Sequence, residues 1–119
     1  MKVEEYQKAT VIILNELAKE SHEIAKEKGW YATKRTFGDY IALFHSEISE
    51  AFEEYRNNKE YDEIYFEDEK PCGIPIEIAD LIIRICDFVE YANIDIEKAI
   101  SIKMDYNKTR SFRHGNKKS

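Results

Sequence analysis

Two segments of the sequence carry acidic pairs with the residue types and spacing of a divalent-cation site. One segment contains Glu47 and Glu50, and a later one contains Glu77 and Asp80. Because residues three apart lie on the same side of a helix, each pair is expected to project from one flank of its helix. Four facing carboxylates repel one another unless cations separate them, and Mg²⁺ or Mn²⁺ prefers such all-oxygen ligands. The carboxylates therefore predict a hard-metal site.

The segment that contains Glu77 is otherwise strongly apolar. At about 100° per residue its polar side chains fall on one narrow stripe, formed by Glu77, Asp80, Arg84, Asp87 and Tyr91. A helix this apolar is expected to be buried nearly all round, and buried carboxylates are costly without a partner. The stripe is expected to face a partner, a cavity or a metal. The structural alternatives are a buried ion pair with Arg84 and, for Glu47 with Glu50, a solvated helix face.

A redox di-iron centre is the competing carboxylate chemistry in a helical bundle. That centre requires Glu-x-x-His on two helices, and neither Glu47 nor Glu77 has a histidine three positions later. None of the three histidines follows any glutamate at this spacing. The sequence therefore favours a non-redox metal.

A third candidate group lies near the C-terminus and consists of Lys103, Asn107 and Arg110. Spacings of four and three place these side chains on one face of a helix. An amine, an amide and a forked guanidinium suit a polyphosphate ligand. The ordinary alternative is a solvated basic helix end that the helix dipole stabilises.

Four helices with mostly short links are predicted to position these residues. They are expected over residues 3–28, 37–57, 75–92 and 96–109, and the caps of two of them are Thr36 and Asp95. The acidic, aromatic segment 58–73 lacks helical periodicity and is predicted to be a long loop. The second helix is expected to bury one apolar face, made of Ile41, Phe44, Ile48, Phe52 and Tyr55. Four Gly and two Pro agree with an all-α four-helix bundle.

Composition indicates one globular domain of 119 residues, 43% hydrophobic and 35% charged. Two cysteines are too few for a disulfide framework, and no segment has the apolar core of a signal peptide or a membrane span. We therefore expect a cytoplasmic protein without a membrane partner, with its domain over residues 1–110 and a basic tail over 111–119.

Charge is distributed unevenly along the chain. Residues 98–119 have a net charge of +6, although the whole chain has a net charge of −6. Such a basic end is able to contact nucleic acid, or to supply phosphate ligands to metals that the acidic body holds. Nucleic acid is the less favoured partner, because the acidic body repels a polyanion.

Three blocks of the sequence together resemble the MazG-like all-α nucleoside triphosphate pyrophosphohydrolase family. They read H-S-E-I-S-E-A, G-I-P-I-E-I-A-D-L-I-I-R-I and K-M-D-Y-N-K-T-R, and they follow the family order between Leu43 and Arg110. The family pattern is E-x-x-E, a variable gap, E-x-x-D and then K-x-x-x-N-x-x-R. The gap between Glu50 and Glu77 is at the long end for the family.

The resemblance implies Mg²⁺-dependent hydrolysis of an NTP or dNTP to the monophosphate and pyrophosphate, for nucleotide pool control or house-cleaning. The residues that it assigns to metal binding and catalysis are Glu47, Glu50, Glu77 and Asp80. The residues that it assigns to the triphosphate are Lys103, Asn107 and Arg110. It also implies that Trp30 stacks on the base, whereas a core role for this single tryptophan is the alternative.

Two further expectations concern the oligomeric state of the protein and an alternative to the enzymatic function. Family members are usually homodimers or homotetramers, and an apolar third helix agrees with a bundle completed by oligomerisation. The alternative function is a non-catalytic helical oligomer or adaptor, in which the carboxylates and Arg84 form an ion-pair core and the basic tail binds an acidic partner.

Overall fold

In a computed structural model of the chain, the backbone of residues 3–110 and the side chains of residues 13–110 are described. This part contains four helices, α1 (Val3–Glu27), α2 (Phe37–Arg56), α3 (Ile74–Tyr91) and α4 (Ile96–Thr109). It also contains an antiparallel hairpin of β1 (Tyr65–Glu67) and β2 (Lys70–Cys72). The mostly helical architecture confirms the all-α prediction. The predicted tail, residues 111–119, lies outside the described residues.

Local sequence signals set the ends of these helices. The Thr36 hydroxyl accepts a hydrogen bond from the Asp39 amide at 3.1 Å, and the Asp39 carboxylate accepts one from the Thr36 amide at 2.9 Å. This reciprocal capping box begins α2 as predicted. Asp95 caps α4 by accepting from the Lys98 amide at 3.1 Å, and this hydrogen bond lowers the pKa of the Asp95 carboxyl. Pro75 lies in the first turn of α3, where its missing N–H costs nothing.

Helix α3 is the central element, and both α1 and α2 pack against it. Along α2, Tyr40 contacts the Phe88 ring at a 4.7 Å centroid distance, and Glu47 meets Arg84 seven residues later, so α2 runs antiparallel to α3. Along α1, His22 meets Asp87. The core lies where α1, α3 and the start of α4 meet, and its members are Leu17, Ala18, Ile85, Cys86, Phe88, Val89 and Ile96.

The predicted burial of the apolar face of α2 is wrong for the single chain. Only Phe44 of that face is half-buried, and its other members remain exposed, namely Ile41, Ile48, Phe52 and Tyr55. Helix α2 instead buries Tyr40 and Glu47. The reason is that α2 contacts α3 along one edge, and the described part of the chain supplies no element to cover the neighbouring stripe. Helix α3 is likewise not buried all round, because Ile78 and Ile82 are exposed.

The second half of the predicted loop 58–73 forms the hairpin. Tyr65 pairs with Cys72, and the Tyr65 hydroxyl donates to the Glu54 carboxylate at 2.8 Å, which fastens the hairpin to α2. Gly73 joins the hairpin to α3 with φ of 121°, and a Cβ there would overlap the carbonyl of Glu63. Only glycine suits this junction, which sets where α3 begins. Across the described residues, no helix has both the length and the apolarity to span a membrane.

Candidate functional site

Three of the predicted carboxylates meet between α2 and α3. Oxygens of Glu47, Glu77 and Asp80 all lie within 4.8 Å of one another. Glu47 comes from the face of α2 that packs on α3, and Glu77 comes from the first turn of α3. The antiparallel arrangement of the two helices thus brings together residues that are thirty positions apart.

Glu50 lies beside Glu77, although it is not one of the three residues whose oxygens lie within 4.8 Å of one another. Burial, together with a hydrogen-bonding contact with Glu50 and the negative charges of Glu50, Asp80 and Glu47, raises the pKa of Glu77 to about 7. Such a shift is typical of carboxyl groups that share one site. The structure therefore brings three of the predicted carboxylates together and places Glu50 against one of them, and we call Glu47, Glu50, Glu77 and Asp80 the carboxylate cluster.

Two oxygens of the carboxylate cluster are buried without a hydrogen-bond partner among the described residues. They are Oε2 of Glu47 and Oε2 of Glu77. A buried acceptor of this kind normally has a partner, because its desolvation is otherwise uncompensated. A divalent cation satisfies such oxygens, and an all-carboxylate donor set suits Mg²⁺ or Mn²⁺. The residues present therefore fit a hard metal ion.

Arg84 forms an ion pair with the carboxylate cluster across the two helices. Its Nε donates to Oε1 of Glu47 at 2.6 Å, and the Glu47 side chain is only 5% exposed. The sequence analysis offered a buried ion pair with Arg84 as the alternative to a metal site, and the partner that the structure shows for Arg84 is Glu47 of α2. Arg84 turns toward α2 because the buried Glu47 carboxylate lies there. The pair neutralises part of the negative charge and leaves Oε2 of Glu47 free.

Trp30 lies beside Arg84, at the edge of the carboxylate cluster. The guanidinium carbons of Arg84 and Arg35 lie 4.5 and 4.4 Å from the centroid of its ring. Arg35 also donates from Nε to the Trp30 carbonyl at 3.1 Å. The indole is half-buried rather than part of the core, and the two guanidinium groups hold it by cation–π attraction. Its predicted stacking on a base stays a prediction.

A second polar group, missed by the sequence analysis, surrounds Asp87 two turns further along α3. Oδ1 of Asp87 lies 2.9 Å from Nδ1 of His22 and accepts a hydrogen bond from the Tyr31 hydroxyl at 2.9 Å. Burial, and hydrogen bonds with Tyr40 and Asp87, raise the pKa of Tyr31 well above its ordinary value. The Tyr31 ring stacks on Tyr91 at 5.2 Å. The polar stripe of α3 was the signal that a buried partner for Asp87 was needed.

The third predicted group lies apart from the carboxylate cluster. Lys103, Asn107 and Arg110 are all exposed, and the main packing partner of α4 is α1. Lys103 and Arg110 lie over the ring of Tyr106, at 5.0 and 5.6 Å from its centroid. Between residues 13 and 110, no ion pair joins either cation to the carboxylates. Over residues 13–110, the single chain does not bring these three side chains to the carboxylate cluster.

The three sequence blocks that resemble the MazG-like family lie on three different helices. The blocks on α2 and α3 meet at the carboxylate cluster, whereas the block on α4 lies apart. The family assignment stays a prediction that rests on these blocks. In comparisons with known proteins, the chain matches no family model, no curated protein and no solved structure.

Proposed function

We propose that this protein is an Mg²⁺-dependent nucleoside triphosphate pyrophosphohydrolase, which converts an NTP or dNTP to the monophosphate and pyrophosphate. The observation that carries the proposal is the convergence of Glu47, Glu77 and Asp80 oxygens within 4.8 Å, next to buried carboxylate oxygens without partners. Proteins rarely tolerate such a group without a compensating cation. Its purpose would be nucleotide pool control or house-cleaning in the cytoplasm.

The side chains of Glu47, Glu50, Glu77 and Asp80 would hold the metal. When bound, Mg²⁺ would supply Lewis acidity toward phosphate oxygens and lower the pKa of a coordinated water. Arg84 holds Glu47 in place through the 2.6 Å contact, so this ligand keeps its orientation without the metal. The half-buried Glu77, with a pKa of about 7, is only partly protonated at neutral pH, and a bound cation would displace the remaining proton.

The cationic side chains of α4 would bind the triphosphate. Lys103 and Arg110 carry the charge, and the amide of Asn107 lies between them on the same helix face. A forked guanidinium binds phosphate oxygens in pairs, and these contacts offset the charge that develops on the phosphates during hydrolysis. Trp30 would provide an aromatic surface for the base next to the carboxylate cluster. With these roles assigned, no protein side chain has to act as the nucleophile.

The test is pyrophosphate release from a panel of canonical and modified NTPs and dNTPs, measured with Mg²⁺ and again with EDTA. We expect release from at least one member, and we expect the chelator to abolish it. A matched control is Glu53→Gln, which removes an exposed carboxylate of the same helix that lies outside the carboxylate cluster. Silence across the panel, with folded protein and Mg²⁺ or Mn²⁺ present, would contradict the proposal.

A second candidate function is a non-catalytic helical oligomer or adaptor. The contact that favours it is the buried ion pair of Glu47 and Arg84, because such pairs also serve to fix the packing of helices. The two functions differ in their response to ligand. A pyrophosphohydrolase is stabilised by Mg²⁺ with a non-hydrolysable nucleotide, whereas an adaptor responds to neither. Thermal unfolding with and without both ligands separates the two.

A further inference from the structure

Two contacts with α2 flank the carboxylate cluster. On one side, Arg84 of α3 donates to Glu47 of α2 at 2.6 Å. On the other side, the hairpin that leads into α3 returns to α2, where the Tyr65 hydroxyl donates to the two oxygens of Glu54 at 2.9 and 2.8 Å. Glu54 lies about one helical turn after Glu50 and on the same side of α2. The Tyr65 contact therefore lies at the end of the carboxylate cluster opposite the Arg84 contact.

The first turn of α3 carries Glu77 and is positioned by the hairpin that precedes it. The helix begins after Gly73, and among the residues that the structure describes no side chain caps this first turn. Packing holds the junction instead, because Cys72 and Ile74 on either side of Gly73 are both buried. A Cβ at Gly73 would overlap the carbonyl oxygen of Glu63, so the chain before β1 packs directly against the junction.

A short series of backbone contacts connects Tyr65 to Glu77. Tyr65 is paired with Cys72 across the hairpin, and Gly73 follows Cys72 directly. The carbonyl of Gly73 then accepts a hydrogen bond from the Glu77 amide at 3.1 Å, which closes the first turn of the helix. The position of Glu77 relative to α2 is therefore linked to the hydrogen bonds between Tyr65 and Glu54.

The Tyr65 side chain is engaged at both its hydroxyl and its ring. Its hydrogen bond to Glu54 is the main cause that raises the pKa of Tyr65 to about 12, so the hydroxyl remains a donor at physiological pH. The Lys59 ammonium lies 4.2 Å from the centroid of the Tyr65 ring and adds a cation–π attraction. Tyr65 is half-buried, whereas its neighbour Phe66 is exposed. These contacts favour one fixed orientation of the side chain.

A fixed contact at this end matters because carboxylates of the two helices repel each other. Glu50 and Glu77 lie close together, and their negative charges favour separation of the two helices when no cation lies between them. Ligands that are already held in place lose less free energy on ordering when they bind. Groups that orient metal ligands through hydrogen bonds contribute roughly 10- to 100-fold to metal affinity.

We propose that Tyr65 is a positioning residue for the metal site. By its hydrogen bonds to Glu54, it holds the hairpin against α2. The hairpin in turn holds the first turn of α3, so that Glu77 stays close to Glu47 and Asp80 before the cation binds. Tyr65 acts through the backbone and is not itself a ligand. The inference rests on the metal site of the proposed function, but it does not depend on which reaction the site performs.

The test is the affinity of the full chain for Mn²⁺, measured from the electron paramagnetic resonance signal of free Mn²⁺ at a temperature where each variant is folded. Tyr65→Phe should weaken binding by roughly tenfold, as loss of a positioning hydrogen bond does. The matched control is Tyr31→Phe, which also removes a hydroxyl that donates to a carboxylate, that of Asp87. The control should bind Mn²⁺ like wild type. Equal affinities of wild type and Tyr65→Phe, or equal weakening by both substitutions, overturns the inference.

Substitutions of Glu54 separate positioning from charge. Glu54→Gln keeps an oxygen that accepts from the Tyr65 hydroxyl, whereas Glu54→Ala removes it. Mn²⁺ affinity should therefore be closer to wild type in Glu54→Gln than in Glu54→Ala. The double variant with Tyr65→Phe and Glu54→Ala should bind no more weakly than either single variant, because both remove the same contact. Equal weakening by Glu54→Gln and Glu54→Ala would assign the effect to charge and overturn the inference.

The outcomes for the inference and for the proposed function are distinct. Mn²⁺ binding that depends on Tyr65, without pyrophosphate release from any NTP or dNTP, would remove only the proposed reaction. Pyrophosphate release with Mn²⁺ affinity that is unchanged in Tyr65→Phe would remove only the inference. Wild-type protein that binds no Mn²⁺ would overturn both.

Discussion

The Nε of Arg84 lies 2.6 Å from Oε1 of Glu47, and this contact ties α3 to α2 at the carboxylate cluster. It satisfies one oxygen of a buried carboxylate and leaves the other, Oε2, without a protein partner. The same guanidinium lies 4.5 Å from the Trp30 ring. One arginine therefore orients a buried carboxylate and an aromatic surface together, which links the geometry of the site to the packing of its helices.

Removing this guanidinium is expected to destabilise the metal-free protein. In Arg84→Ala, the Glu47 carboxylate stays buried without its partner, and a loss of about 2 kcal/mol in the free energy of unfolding is expected because Arg84 is partly exposed. Mg²⁺ should restore part of the loss by pairing with Glu47. Urea denaturation with EDTA and with Mg²⁺ measures both effects. The control is Arg56→Ala, whose exposed pair with Glu53 contributes well under about 1 kcal/mol. Equal effects of the two substitutions would contradict the role of the buried pair.

The pKa of Glu77 predicts how stability depends on pH. Its folded value of about 7 lies above the ordinary value of 4.5, so the folded state binds more protons than the unfolded state between these values. In EDTA, the contribution of Glu77 to stability is fully present below pH 4.5 and is lost as the pH rises to about 7. Thermal unfolding from pH 4.5 to 8 measures this loss, and Glu77→Gln should remove it. A wild-type profile that matches Glu77→Gln would exclude the effect.

The Glu77 carboxyl group also predicts that metal binding depends on pH. Protons compete with the cation for the Glu77 carboxylate, so stabilisation of the protein by Mg²⁺ should increase as the pH rises through about 7. The shift in melting temperature between EDTA and Mg²⁺, measured at pH 5.5 and pH 8, tests this expectation. A shift of the same size at both pH values would show that Glu77 does not bind the metal.

Substitution of Tyr31 should weaken the polar group around Asp87 without changing the stabilisation of the protein by Mg²⁺. Tyr31→Phe removes a hydrogen bond to Asp87 and is expected to cost about 1 kcal/mol of unfolding free energy. Because this hydrogen bond is distant from the carboxylate cluster, the stabilisation by Mg²⁺ should be unchanged. Urea denaturation of wild type and variant, each with and without Mg²⁺, gives both quantities. Loss of the Mg²⁺ effect in Tyr31→Phe would contradict this separation.

The features that the sequence predicted correctly are local. Thr36 with Asp39, and Asp95, are short-range caps whose residue types decide where α2 and α4 begin. The pairing of Glu47 with Glu50, and of Glu77 with Asp80, follows from helix periodicity alone. The convergence of Glu47, Glu77 and Asp80 in space followed from the expectation that two amphipathic helices pack together, and the structure shows it.

The features that the sequence did not predict depend on contacts between distant segments. Glu47 and Arg84 are 37 positions apart, so spacing within one helix does not reveal their pairing. The hairpin has strands of three residues, too short for a periodic pattern. An apolar face such as that of Ile48 and Phe52 looks the same in a sequence whether its own chain or another covers it. The sequence analysis also did not predict that α4 packs mainly against α1, because this contact likewise joins distant segments.

The measurement that tests the central claim most directly is product analysis of NTP hydrolysis by ³¹P nuclear magnetic resonance, with wild type, Asp80→Asn and the Glu53→Gln control. Wild type and Glu53→Gln should convert the triphosphate to monophosphate and pyrophosphate in Mg²⁺ and leave it intact in EDTA. Asp80→Asn should be folded and should leave the triphosphate intact in both, because the substitution removes one carboxylate of the proposed metal site. Full activity of Asp80→Asn, or hydrolysis that persists in EDTA, would contradict the account.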